Sequence, residues 1–221
     1  MRPWRKQAAK DNPRERLLER LRPHVSDERV LAALHAVPRD RFVPGELADE
    51  AWDNVALPIG AGQTISQPLV VARMCELLAL RGDERVLDVG TGSGYHAAVL
   101  AQLTEHVWSI ERHPELSRLA GETLAAAGVE NVTLVVGDGS RGLPEHAPYE
   151  AINVAAAAGG EIPHALFEQL ARGGRLVAPV EDGDQRLVVA RRTDAGVRLT
   201  ELERVRFVPL VSSRGSGAGS A

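Results

Sequence analysis

The sequence predicts an α/β fold: a doubly wound, mostly parallel sheet, an antiparallel hairpin at its C-terminal edge, and a helical N-terminal extension. Three observations carry this. From residue 85 onward, short and mostly β-branched apolar runs alternate with helical stretches, the pattern of right-handed βαβ crossovers with helices on both faces of the sheet. Near the C-terminus two strand-like runs, "QRLVVARRT" and "VRLTELERVRFVPL", are separated only by Asp194–Gly196, which makes a hairpin. Ahead of residue 81 leucine and valine recur at helical spacing.

The elements follow in order. "RERLLERLR" (14–22) and "DERVLAALHAV" (27–37) are the first two helices, with Ser26 and Asp27 placed to cap the second and Pro38 to stop it. Pro68 suits the first position of a helix running to about Leu80, where its missing N–H costs nothing. Strands are predicted over 85–90, 107–111, 132–138, 150–157 and 174–180. Helices are predicted over 94–103, 114–127 (with Gly128 as C-cap) and 163–171. One domain is expected over 1–211: a loose basic arm (1–12), the helical extension (13–80) and the sheet core (81–211). The glycine- and serine-rich residues 212–221 are expected to be a disordered tail.

Composition narrows the class. The 221 residues are 44% hydrophobic and 25% charged, which suits one core. A net charge of −4 supplies no general attraction to nucleic acid or to a membrane surface. Cys75, the single cysteine, lies in the apolar run Val70, Val71, Met74, Leu77, Leu78 and reads as a small buried hydrophobe. No stretch is apolar enough to span a bilayer, and "MRPWRKQAAK" is charged where a signal peptide needs its apolar centre. A cytoplasmic monomer is expected. The basic residues among 1–22 read as a solvated helix face. The seven histidines show no ligand spacing, so no metal site is expected, and His96 and His106 read as sheet-flanking or surface residues.

The first predicted strand runs into "DVGTGSGY", with Gly90, Gly92 and Gly94 ahead of a helix. Glycines let the backbone turn tightly and approach a ligand. Glu111 ends the next strand 21 residues beyond Gly90, where a carboxylate can accept both ribose hydroxyls of a nucleoside. The dinucleotide fingerprint would place its third glycine at Tyr95; this loop is G-x-G-x-G preceded by Asp88. That spacing resembles motif I of class I, Rossmann-like methyltransferases that use S-adenosylmethionine (SAM). An acid there suits the cationic amino and sulfonium groups of SAM better than a pyrophosphate. Asp138 in "GDG" (137–139) is placed to accept from an adenine amine. The cofactor residues are therefore Asp88, Gly90, Thr91, Gly92, Ser93, Gly94, Glu111, Asp138 and Gly139.

"GAGQTISQP" (60–68) has no apolar periodicity and reads as continuing no strand, with Thr64, Ile65, Ser66 and Gln67 at the N-terminus of the helix begun by Pro68. Free first-turn N–H groups and the dipole there make an anion site. A SAM enzyme with such a site points to a carboxylate as methyl acceptor. Because a carboxylate is ionised at neutral pH, no general base is needed.

"VPRDRFVP" (37–44), "ALPIGAGQTISQP" (56–68), "VLDVGTGSGYHAAVLAQL" (86–103), "SIER" (109–112), "NVTLVVGDGSRG" (131–142), "GGRLVAPV" (173–180) and "VRFVPL" (205–210) together resemble the successive blocks of the protein-L-isoaspartate (D-aspartate) O-methyltransferase family over roughly residues 14–211. The resemblance implies a cytosolic repair enzyme. It methylates the free α-carboxylate of isoaspartyl residues in proteins or peptides, and the ester collapses to a succinimide. It implies Ser66 as the active-site serine, Thr64 and Ile65 beside it, and Val208 in the strand that helps hold the peptide; Gln67 is placed on the substrate side by its position at the same helix start. The chain departs from the family pattern at Asp88 (usually glutamate), Ala155 (usually threonine), Glu150 (usually aspartate) and Trp52–Asp53. Two other functions are a relative that makes an aspartimide from a normal aspartate of one biosynthetic peptide, and a non-catalytic SAM-binding module, which would not need the "TISQP" block. A nucleic-acid amino-methyltransferase would carry a proline- and aromatic-bearing motif where this chain reads "NVAAAA" (153–158).

Overall fold

The computed structural model describes residues 12–211. The body of the expected basic arm (1–11) and the expected tail (212–221) lie outside the described residues. Helix α1 (Pro13–Leu21) is capped by the Asn12 side chain, which accepts from the Arg14 N–H. In α2 (Glu28–Ala36) Asp27 does the same for Arg29. Ser26 does not cap; its N–H and hydroxyl both donate to Glu76 Oε1 at 2.6 Å, tying the extension to α3 (Pro68–Leu78).

The main sheet holds β3 (Arg85–Val89), β4 (His106–Glu111), β5 (Val132–Val136), β6 (Tyr149–Val154), β8 (Leu170–Asp182), β9 (Asp184–Thr193) and β10 (Gly196–Arg204) in the order β10-β9-β8-β6-β3-β4-β5. The two-residue β7 (Ala158–Gly159) pairs with β8. Strands β3 to β6 and β8 are parallel, whereas β9 pairs antiparallel with both β8 and β10. Crossovers run through α4 (Tyr95–Ala101), α5 (Pro114–Ala126) and α6 (His164–Gln169).

Three further sequence expectations are corrected. The expected helix 163–171 ends at Gln169, because Leu170 is already extended and pairs with Tyr149. The strand expected over 174–180 therefore runs 170–182, with an irregular register near its start. Most importantly, the stretch 60–68 does join strands: β1 (Leu57–Gly60) and β2 (Gln63–Ile65) form a separate antiparallel hairpin. Its turn residues Ala61 and Gly62 have φ of 49° and 68°, the two left-handed positions of a type I′ turn. Turn chemistry makes this hairpin, not apolar alternation, so periodicity does not reveal it.

Helix cover is uneven. One core cluster joins α1, α2, α3 and α4 to a sheet face, with Leu124 of α5. The other face is packed by α6 and the loops around it, through Leu143, Ile162 and Leu166. The N-terminal helices thus share the apolar core of the sheet, and Cys75 is buried in it as expected, its thiol pushed up by burial. Parallel strand order turns over between β3 and β6, which places a crevice beyond the carboxyl ends of β3 and β4.

Candidate active site

Strand β3 delivers the glycine loop to that crevice. Gly90, Gly92 and Gly94 all have positive φ, a conformation costly for any other residue. At Gly92 an added Cβ would also press to 3.3 Å on Ile59 of the β1–β2 hairpin, which lies over the loop. At Gly139 the constraint is packing alone: a Cβ would fall 2.5 Å from Val89 Cγ1.

A cavity of about 60 Å³ sits on this surface, lined by Gly90, Gly92, Glu111, Gly139, Ala155 and Ala156, and roofed by Gln63, Thr64 and residues 208–211. Glu111 is 5% exposed. Its two carboxylate oxygens each accept one backbone N–H, Oε2 from Gly92 and Oε1 from His113, both at 2.9 Å. The acid therefore locks the loop while lining the cavity. Asp138 lies at the edge of an adjoining trough of about 1180 Å³ that shares Ile110 and Leu210 with the cavity. It caps the turn Gly139–Arg141, accepting from the Ser140 N–H and hydroxyl.

Several expected cofactor residues sit behind this surface. Asp88 is fully buried and does not line the cavity. Ser109 donates to its Oδ2 and Asn153 to its Oδ1, both at 2.7 Å. Direct pairing with a cationic ligand is therefore corrected to a supporting role beneath the loop. Burial pushes its carboxyl up to about 6, against the lowering by those hydrogen bonds, with the charge of Glu111 adding to the rise. The Thr91 side chain is also turned inward, 2.6 Å from Ser109 Oγ. Since the Ser109 proton goes to Asp88, Thr91 is the donor in that pair. Ser93 accepts from the Tyr95 N–H at the loop's end, and Gly94 packs against Ala120 and Leu124. His96, expected to flank the sheet or lie at the surface, is buried against Asn153 and Cys75; burial lowers it to about 3, so it is neutral.

A second cavity, about 530 Å³, is lined by Thr64, Ser66, Gln67, Val70, Phe207 and Val208, with Ala56 and residues 204–206 completing it. It collects four of the five residues expected to meet substrate or catalyse. The fifth, Ile65, is 3% exposed and belongs to the core; β2 alternation points it away from Thr64 and Ser66. The anion site is also corrected. At the start of α3, Pro68 has no N–H, the Leu69 N–H donates to Asn54 Oδ1 at 3.0 Å, and the Val70 and Val71 N–H groups donate to Gln67 O. No first-turn amide is left for an anion, and the polar groups facing the cavity are side chains. The Ser66 hydroxyl has no hydrogen-bond partner among the described residues. Thr64 and Val208 line both cavities, so the two meet there.

Sequence reasoning missed Asn54, Asn153 and Gln185. The Leu69, Asp88 and Phe207 groups they hold lie 15, 65 and 22 positions away, so no local motif reveals these roles. A polar Asn inside the apolar strand "AINVAAA" was the one visible signal. Among the described residues no helix is long and apolar enough to cross a membrane.

The glycine surface and Glu111 fit a nucleoside ligand of the SAM type, and comparison with known proteins agrees. The family model described as protein-L-isoaspartate (D-aspartate) O-methyltransferase matches residues 12–215. A protein-L-isoaspartate O-methyltransferase of Chromobacterium violaceum is 49% identical over 207 residues, 93% of each chain. One of Methanoculleus marisnigri is 50% identical over 192 residues, covering 86% of this chain and 87% of its own. Among solved structures, a protein-L-isoaspartate O-methyltransferase superposes with a TM-score of 0.81 at 28% identity, over 90% of this chain and 66% of that one. A Plasmodium falciparum protein titled a beta-aspartate methyltransferase, in complex with S-adenosyl-L-homocysteine, gives 0.78 at 25% identity, over 91% and 99%. The chain belongs to the protein-L-isoaspartate (D-aspartate) O-methyltransferase family, enzymes that move a methyl group from SAM to isoaspartyl residues.

Proposed function

We propose that this chain methylates the free α-carboxylate of isoaspartyl residues in proteins or peptides, with the carboxylate held by Thr64, Ser66 and Gln67 in the larger cavity and the peptide against Phe207 and Val208. The observation that carries the reading is the junction of the two cavities at Thr64 and Val208: a group bound beside Ser66 borders directly on the space above the glycine loop. SAM, when bound, supplies an electrophilic methyl on a sulfonium. Gly90, Gly92, Glu111 and Gly139 would hold it, and Asp138 borders the trough that its adenine would enter.

The protein's own work is orientation and exclusion of water. The acceptor is already an anion at neutral pH, so no residue has to remove a proton. Ser66 donates a hydrogen bond to one carboxylate oxygen and leaves the other free to accept the methyl. Side-chain donors do this, since the first-turn amides of α3 are already paired. The net charge of −4 gives no pull toward nucleic acid, and a single buried cysteine suits a reducing cytoplasm.

The test is Ser66→Ala. Losing one hydrogen bond to a charged group costs about 1.5–3 kcal/mol, so methyl transfer should fall roughly ten- to hundredfold. SAM affinity should hold, because Ser66 does not line the cofactor cavity. Full activity in this variant would end the role of Ser66.

A further inference from the structure

We propose that Gln185 is a positioning residue for this reaction: its side-chain amide fastens the strap 207–211, which walls both cavities. The regular ladder of β10 ends at Arg204, and the chain then leaves the sheet edge to cross the carboxyl ends of the strands. Its last ladder-like bond runs from the Val205 N–H to Gln185 O at 3.0 Å. Two residues on, the Gln185 side chain takes over. Its Oε1 accepts from the Phe207 N–H at 2.6 Å and its Nε2 donates to Phe207 O at 3.2 Å. One side chain thus stands in for a strand residue, pairing with both backbone groups of Phe207.

The amide cannot turn over. Its Nε2 also donates to Glu181 Oε2 at 2.9 Å, and a carboxylate accepts only from the NH₂ end. Glu181 faces Gln185 across the β8–β9 ladder, so the orientation is built into the sheet. Farther along, the strap is held by backbone: the Ala157 N–H donates to Val208 O at 2.8 Å and the Leu210 N–H to Ala157 O at 2.7 Å. Arg112 donates to Val211 O at 3.0 Å. Gln185 is therefore the side-chain latch on the substrate side.

The strap has two jobs. Phe207 and Val208 line the substrate cavity, and residues 208–211 roof the cofactor cavity. A cofactor seated over the glycine loop meets residues 208–211, so the strap whose start, Phe207 and Val208, faces the peptide also borders the cofactor's way out. Loss of the latch should loosen both ends while leaving Thr64 and Ser66 in place.

The experiment compares wild type, Gln185→Ala and Glu181→Gln by three measurements. These are release of S-adenosyl-L-homocysteine in stopped flow, steady-state kinetics with an isoaspartyl peptide, and hydrogen exchange at Phe207 and Leu210. In Gln185→Ala, release should quicken and peptide KM should rise, each about tenfold, the value of one or two hydrogen bonds. Saturated kcat should stay within about twofold, and the Phe207 amide should lose the most protection, with a smaller loss at Leu210. Glu181→Gln, which keeps Gln185 but weakens the charge-assisted bond that braces its NH₂ end, should show the same pattern at smaller amplitude. Unchanged release and KM in both variants would overturn the proposal, as would a fall in kcat with KM unmoved. The kinetic part rests on the isoaspartyl reading, but release and exchange need no turnover. A wild type inert toward isoaspartyl peptides would sink that reading and still leave the strap decided.

Discussion

Replacing Glu111 by glutamine changes one atom and should cripple the cofactor site. The carboxylate accepts the Gly92 N–H on one oxygen and the His113 N–H on the other, each at 2.9 Å. An amide offers one oxygen and one NH₂. Whichever way it is turned, a donor faces a donor, and at 5% exposure water has little room to mediate. One charge-assisted hydrogen bond is lost outright, about 1.5–3 kcal/mol. If the NH₂ faces Gly92, the loop must retreat from the cavity it floors. If it faces His113, the chain entering α5 moves instead, and with it the amide's other end. Either adjustment moves groups on the cavity wall, since Gly92, Glu111 and His113 all line it. Converted at about 1.4 kcal/mol per decade, S-adenosyl-L-homocysteine affinity should fall roughly ten- to hundredfold. Calorimetric titration reads the affinity, and thermal unfolding should show a loss of several degrees, on the order of 2–4 °C per kcal/mol for a chain of this size. A folded Glu111→Gln that binds as tightly as wild type would refute the reasoning that this acid governs the loop.

Asp88 keeps its proton to about pH 6 when folded, against a usual value of 3.8. The folded state therefore binds more protons between those limits, and stability falls as pH rises through them, by up to roughly 3 kcal/mol. Asp88→Asn should remove this component, so that the difference in unfolding free energy between pH 4 and pH 7 shifts toward the neutral side; an unchanged pH profile would contradict it. Gly139→Ala puts a methyl 2.5 Å from the buried Val89, which should cost about 1–3 kcal/mol and weaken S-adenosyl-L-homocysteine binding. A variant as stable as wild type in denaturant titration would show that the contact relaxes freely.

Much of this architecture is written in local pattern. Strands β3 to β6 are short β-branched runs, and the glycines and Glu111 come at intervals that a βαβ unit fixes, so both the sheet and the cofactor surface were legible. What was not legible depends on long-range contacts or on turn chemistry. The β1–β2 hairpin is made by left-handed Ala61 and Gly62, and alanine is no signal for that conformation. The N-terminus of α3 looked open because Asn54, which fills it, lies outside the helix. Asp88 looked like a ligand because its spacing is right. Its burial follows from Ser109 on β4 and Asn153 on β6, brought opposite it by sheet register. Position along the chain groups Ile65 with its neighbours, and strand alternation separates it from them.

Function turns on which carboxylate reaches the space between the two cavities. An isoaspartyl residue carries its carboxylate on the α-carbon with the chain one methylene longer, so a peptide held by the strap presents it differently from normal aspartate. A displacement of about 1 Å can cost on the order of a hundredfold. The decisive measurement is methyl incorporation from SAM into two peptides identical except for isoaspartate or aspartate at one position. The isoaspartyl peptide should be preferred by about a hundredfold or more in kcat/KM across several flanking sequences. Equal or better methylation of the normal aspartyl peptide would contradict it and move the chain to the aspartimide-forming alternative.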